Sequence, residues 1–174
     1  MYRSICALSL CLIAPLPPNV VAGDWPVYGG DPQHGADSVS SLSDDLTRSW
    51  SYTLQSAPDP AWPTRTRQQF DRAYQPVIAH GRLFFGSSAD NKVHALDAHT
   101  GKRLWEFATG GPIRFAPACW QDRVIVASDD GFVYCLAAHD GALRWSRRAG
   151  PRHDMVLGNG RLISRWPVRG GPTV

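Results

Sequence analysis

Cysteine is scarce in this chain. Four occur in 174 residues, and Cys6 and Cys11 lie in an apolar amino-terminal stretch, leaving only Cys119 and Cys135 beyond it. Metal-ligand spacings are missing too: His34, His80, His94 and His153 form no H-x-x-x-H and no C-x-x-C accompanies them, which removes the common zinc arrangements. There is no phosphate-binding loop and no G-x-S-x-G nucleophile turn, so the familiar nucleotide and serine-hydrolase chemistries have no foothold. Charge of one sign is not in excess, at a formal net +3, and nothing general points to nucleic acid or a membrane surface as partner. The apolar run from Ile5 to Leu16 is too short to span a bilayer.

What the sequence does contain is a repeat. Residues 93–105 and 133–145 are two copies of one unit, with Val93 and Val133, Gly101 and Gly141, and Trp105 and Trp145 each 40 residues apart. The match extends outward to Gly81–Ser87 against Asp122–Ser128 and to Gln75-Pro76-Val77-Ile78 against Ala116-Pro117-Ala118-Cys119, with a one-residue change of length in the turn Ser88–Asn91 or Asp129–Gly131. A period of this length suits a four-stranded propeller blade, which cannot cover its apolar faces alone. The spacing predicts strands A at 76–79 and 117–120, B at 82–87 and 123–128, C at 92–96 and 132–136, and D at 103–107 and 143–147. Each proline suits the start of its strand. Gly101 and Gly141 supply the positive φ of the C–D turn. The fold class read from this pattern is all-β, an incomplete β-propeller of about two full blades plus a leading strand and a truncated third blade.

Ala95-x-Asp97-x-x-Thr100-Gly101-x-x-x-Trp105 is similar to the tryptophan-docking motif of the pyrroloquinoline-quinone (PQQ) repeat propellers. The resemblance implies that the indole packs between blades, as a large flat ring does well in a sheet stack. The second copy keeps Gly141 and Trp145 but has Cys135, Ala137 and Asp140 at the alanine, aspartate and threonine positions. Leu46–Tyr52 resembles a strand D without strands A to C before it, with Trp50 and Tyr52 matching Trp105 and Phe107. In closed propellers of this kind such a strand completes the last blade. Residues 24–35 are turn-rich and look like the opening segment of exported PQQ-like propellers.

Met1-Tyr2-Arg3, the apolar run and Val20-Val21-Ala22 have the layout of a secretory signal peptide covering 1–22, with 23–174 as the partial propeller. The rival is a lipoprotein signal, against which Leu10 stands directly before Cys11 where a small residue is expected. The expected location is periplasmic or secreted. Cys119 and Cys135 then fall on strands A and C of one blade, roughly 9–10 Å apart, too far for a disulfide, and two buried thiols are expected. Residues 56–74 form an insertion before the first blade, either a binding loop or a cover made by Trp62, Phe70 and Tyr74. Seven arginines from Arg144 to Arg169 face one acid, Asp154; they make an anion-binding rim or a solvated edge whose acidic complement lies elsewhere. The last residues look like strand A of another blade, so a piece of a longer protein is expected, the rival being completion by self-association. Such a piece alone is expected to be only marginally stable.

Catalytic constellations are few. His99 and His139 share one turn position and read as repeat residues. Asp129-Asp130 and Asp90-Asn91 offer calcium two or three oxygens where it needs six to eight. No cofactor is expected for this chain; PQQ and calcium belong to a full-length dehydrogenase, whose ligands come from several blades. The expected partners are the missing blades and another exported protein. Two functions follow: a non-catalytic exported scaffold that binds a protein or a polymer, or the amino-terminal portion of a PQQ-dependent alcohol or sugar dehydrogenase. No catalytic residue is assigned; the structural residues singled out are Trp50, Ala95, Asp97, Thr100, Gly101, Trp105, Gly141 and Trp145.

Overall fold

The computed structural model describes residues 23–38, 40–42, 44–62, 69 and 71–174. The expected signal peptide and Phe70 lie outside them. The described residues form an all-β molecule of two four-stranded antiparallel sheets and one hairpin. The first sheet, in the order β1-β2-β3-β4, comprises β1 (Val77–Ala79), β2 (Arg82–Gly86), β3 (Lys92–Asp97) and β4 (Arg103–Ala108). The second repeats it with β5 (Ala118–Trp120), β6 (Arg123–Ala127), β7 (Phe132–Ala137) and β8 (Leu143–Arg148). These are the two blades read from the 40-residue period, with strand limits displaced by one residue. Pro76 and Pro117 stand immediately before β1 and β5, where a missing N–H breaks no ladder bond.

The repeat fixes details as well as order. Both C–D pairings slip by one residue, between Ala95 and Leu96 and between Cys135 and Leu136, and Gly101 (φ 70°) and Gly141 (φ 75°) take up the left-handed backbone in the turns that follow. The core between the sheets is built from Val77, Phe84, Val93, Ala95, Ile113, Val124, Val126 and Leu136, with Trp105, Phe107 and Tyr134 packed against it. Cys119 and Cys135 are free thiols, both buried. The opening segment is tied to the inner edges of both blades: Trp25 exchanges backbone hydrogen bonds with Ile78 (2.7 and 2.9 Å), and Cys119 N donates to Pro26 O (2.7 Å).

One expectation needs correction. Residues 46–52 carry no strand, because strand assignment requires a hydrogen-bonded neighbour and this segment has none. Beyond the second blade, β9 (Met155–Gly158) and β10 (Arg161–Ser164) pair as a hairpin that the repeat does not anticipate, and it precedes the proline-led ending at Pro172. Asn159 (φ 49°) and Gly160 (φ 76°) both adopt positive φ, the geometry of a type I′ hairpin turn.

Candidate functional site

In an antiparallel blade the B–C turn and the connection leaving strand D lie at the same end. Here the B–C turns Ser87–Asn91 and Ser128–Gly131 meet the connection 109–117: Thr109 N donates to Asn91 O (2.9 Å), Ile113 N to Ser87 O (3.3 Å) and Asp129 N to Pro112 O (2.8 Å). The hairpin folds onto this end, with Ser164 N on Asp129 O (2.7 Å). The insertion joins it through Asp59 N on Ser88 Oγ (2.9 Å). One loop face therefore gathers five stretches of the chain: two turns, a connection, the hairpin and the insertion.

Arg114 is the centre of that face. Its Nε donates to Asp129 Oδ2 (2.7 Å), and its Nη1 to Asp71 Oδ2 (2.7 Å) and to Asp59 O (2.6 Å). All three side chains are nearly sealed, at 5% exposed for Arg114, 7% for Asp71 and 1% for Asp129. Asp129 also receives Arg169, whose Nε lies 2.9 Å from Oδ1 and whose Nη2 lies 3.0 Å from Oδ2. Arg161 reaches across to Asp59 Oδ2 (2.7 Å), Ser88 O (2.8 Å) and Asn91 Oδ1 (3.1 Å). Charges buried this deeply persist only when paired and fully hydrogen-bonded. Three guanidiniums answer three carboxylates, so the network fastens loops together and leaves no net charge for a ligand. The seven-arginine run thus divides: Arg161 and Arg169 are cross-links, while Arg144 pairs with Asp122 and Arg152 and Arg165 pair with Asp154 at the exposed edge.

The residues singled out from the sequence lie at the opposite end and between the sheets. Trp50 Nε1 donates to Ala98 O (3.1 Å), and Trp105 Nε1 to Ala138 O at the same distance. Each indole covers a glycine of the next repeat, so that a methyl group on Gly101 would stand 2.5 Å from the Trp50 ring and one on Gly141 2.6 Å from the Trp105 ring. Ala95 is fully buried opposite Trp105. Asp97 accepts from Thr100 Oγ1 (2.8 Å), Thr100 N (2.7 Å) and His99 N (3.1 Å), and the bonds from Thr100 hold its carboxyl below the usual range. Trp145 is 38% exposed. In the insertion, Tyr74 packs on Phe85 at 5.4 Å, whereas Trp62 is 44% exposed with the Arg169 guanidinium 6.0 Å from its ring. Burial and the charge of Asp24 push the Cys119 thiol up to about 12, and burial also raises that of Cys135.

Arg114 escaped notice in the sequence, though a signal was present. Arg114 and Arg169 each stand three residues before a proline, Pro117 and Pro172, so they occupy one repeat position on two successive connections. The shared acceptor Asp129 lies in the Asp129-Asp130 pair examined above only for calcium.

The family described as "Outer membrane protein assembly factor BamB" matches residues 35–165. The chain belongs to this family. It is also similar to the quinohemoprotein alcohol dehydrogenase of Comamonas testosteroni, 28% identical over 138 residues, and to the 1-butanol dehydrogenase (quinone) of Thauera butanivorans, 25% identical over 101 residues. These matches cover 70% and 52% of this chain but only 18% and 16% of those proteins, so it spans under a fifth of the relatives' length. The crystal structure of the Comamonas testosteroni enzyme superposes with a TM-score of 0.56 at 24% identity, over 78% of this chain and 21% of that one, and shares its fold.

For a PQQ-like repeat family the groups in question are a quinone and calcium. Among the described residues no group of three or more His, Cys, Asp or Glu could hold a metal ion. The buried cation of the loop face, Arg114, already has all its carboxylate partners within the chain. No described helix is long and apolar enough to cross a membrane.

Proposed function

We propose that the chain is part of an exported, non-catalytic PQQ-like propeller that acts in the periplasm or outside the cell as a scaffold binding another exported protein or a polymer. The observation that carries this reading is the loop face. Its ion pairs neutralise one another and fasten the insertion, both B–C turns and the hairpin, and the hairpin turns an opposed pair, Leu157 (78% exposed) and Leu162 (61% exposed), toward solvent. Rigid loops on a stacked-sheet base suit recognition. At the far end of the repeat, exposed Trp145 and Leu143 offer the surface on which a further blade would repeat the Trp105 contact with Gly141.

A second reading, the amino-terminal portion of a quinone-dependent alcohol or sugar dehydrogenase, is favoured by the 28% identity to the Comamonas testosteroni enzyme. Adding PQQ and calcium to the full-length protein and following dye reduction with simple alcohols and sugars separates the two. No reduction dependent on the additions is expected; reduction requiring both would replace the scaffold with an enzyme.

A further inference from the structure

A cleft of about 360 Å³ lies between the unpaired segment 52–56 and the first sheet, lined by Tyr52, Gln55, Asp90, Lys92, His94 and Glu106 among others. His94 is 2% exposed and stacks on Phe85, with ring centroids 4.9 Å apart and planes 13° apart. Its Nε2 is 3.0 Å from Asp90 Oδ2, whereas its Nδ1 is buried with no hydrogen-bond partner, 4.0 Å from Glu106 Oε2. A buried ring nitrogen left unpaired costs free energy unless something supplies the bond.

The two repeats show that this cleft is not a by-product of the blade. At the positions of Lys92, His94, Arg103 and Glu106 the second copy has Phe132, Tyr134, Leu143 and Ser146. There Tyr134 closes its own contact by donating to Asp130 Oδ2 (2.6 Å), the equivalent of Asp90. The same backbone thus accepts a largely apolar, self-satisfied set, and the first blade carries a charged, incompletely satisfied one.

We propose that the cleft binds a small neutral polyhydroxylated molecule, of mono- to disaccharide size, with His94 Nδ1 as its buried anchor. The lining is mostly polar, which disfavours an apolar ligand. Lys92 and Arg103 both pair with Glu106, and Asp90 accepts from His94 Nε2, so two cations face two carboxylates and the walls offer hydrogen-bonding capacity without net charge. With Nε2 donating to the Asp90 carboxylate, Nδ1 of the neutral ring is an acceptor, and a hydroxyl of the ligand supplies its donor. Tyr52 provides an aromatic wall, its ring centroid 6.4 Å from that of His94. The cleft borders the loop face at the turn Ser87–Asn91 but shares none of the ion pairs of Arg114, Arg161 and Arg169, and it does not depend on the scaffold reading.

The test uses the full-length protein, calorimetric titration with D-glucose, N-acetyl-D-glucosamine and maltose, and nitrogen NMR of labelled histidine. At least one sugar is expected to bind with a dissociation constant of roughly 1 mM or tighter and to move the His94 Nδ1 resonance on saturation. The variant K92F/H94Y/E106S installs the second blade's residues and should keep the melting temperature while weakening binding roughly tenfold or more. The proposal is overturned by no binding of any of the three sugars, by binding that leaves the His94 resonance in place, or by undiminished affinity in a folded swap variant. The NMR readout on the unaltered protein keeps the test decisive if that variant fails to fold.

Discussion

At Gly141 the backbone stands at φ 75° and a methyl group would press to 2.6 Å from Trp105 Cε3. Side chain and backbone therefore both require glycine, and the Trp105 ring is held by that bare surface and by the Ala138 carbonyl. Trp105→Ala removes packing and a hydrogen bond together and should cost about 3 kcal/mol. Trp145 has the same repeat position but is 38% exposed, so Trp145→Ala should cost under about 1 kcal/mol. Urea denaturation of the two variants side by side checks the asymmetry; equal losses would mean that the two rings are equally buried. Asp97 offers a second check at this scale. Its carboxyl is held below its ordinary 3.8 by the bonds from Thr100, so its contribution is complete above that value and disappears as pH falls through the lower folded one. Asp97→Asn should therefore flatten the acid limb of the stability-pH curve, leaving the profile above pH 5 unchanged in shape, as thermal melts across an acid series would show.

Among the elements, those built by repetition were legible and those built by single long-range contacts were not. Paired copies displayed β1 to β8 to within a residue, since alternation, a leading proline and a turn glycine recur in each. The hairpin is not legible in the repeat although Asn159-Gly160 is a strong turn signal, because it falls in a connection far longer than its counterpart 109–117. The arginine network was hidden for a different reason: Arg114 meets Asp129 and Asp71 at separations of 15 and 43 residues, and Asp71 lies in a segment with no counterpart in the second copy. Its importance is nonetheless measurable. Arg114→Met strands Asp71 and should destabilise the fold by about 3–5 kcal/mol. Arg114→Lys should recover little, as a single ammonium cannot reach Asp129, Asp71 and the Asp59 carbonyl in the same fork. Full recovery by lysine in chemical denaturation would show that only the charge matters.

Across the whole molecule, the sheets stack through aromatic and aliphatic side chains, while the loop face adds the ionic ties and the opening segment adds the inner-edge hydrogen bonds. Stacked modules unfold in one step only when the junction between them is as strong as each module. Three independent kinds of contact at one junction, the Trp105 indole, the Arg114 network and the stretch Trp25–Pro26, predict that the two blades melt as one unit. A single calorimetric transition, its van't Hoff enthalpy equal to the measured one, is the expected result; two resolved transitions would mean that the junction is weaker than the blades.

The stretch at Trp25 and Pro26 also bears on the order of events during synthesis. It precedes both blades in the chain yet bonds Ile78 of the first and Cys119 of the second, so it emerges early and must wait for strands made later. Until β5 arrives it can engage only Ile78. The Cys119 amide should then gain protection from solvent exchange last, and shortening the opening stretch should let the amides of Ile78 and Cys119 exchange independently where the intact chain releases them together.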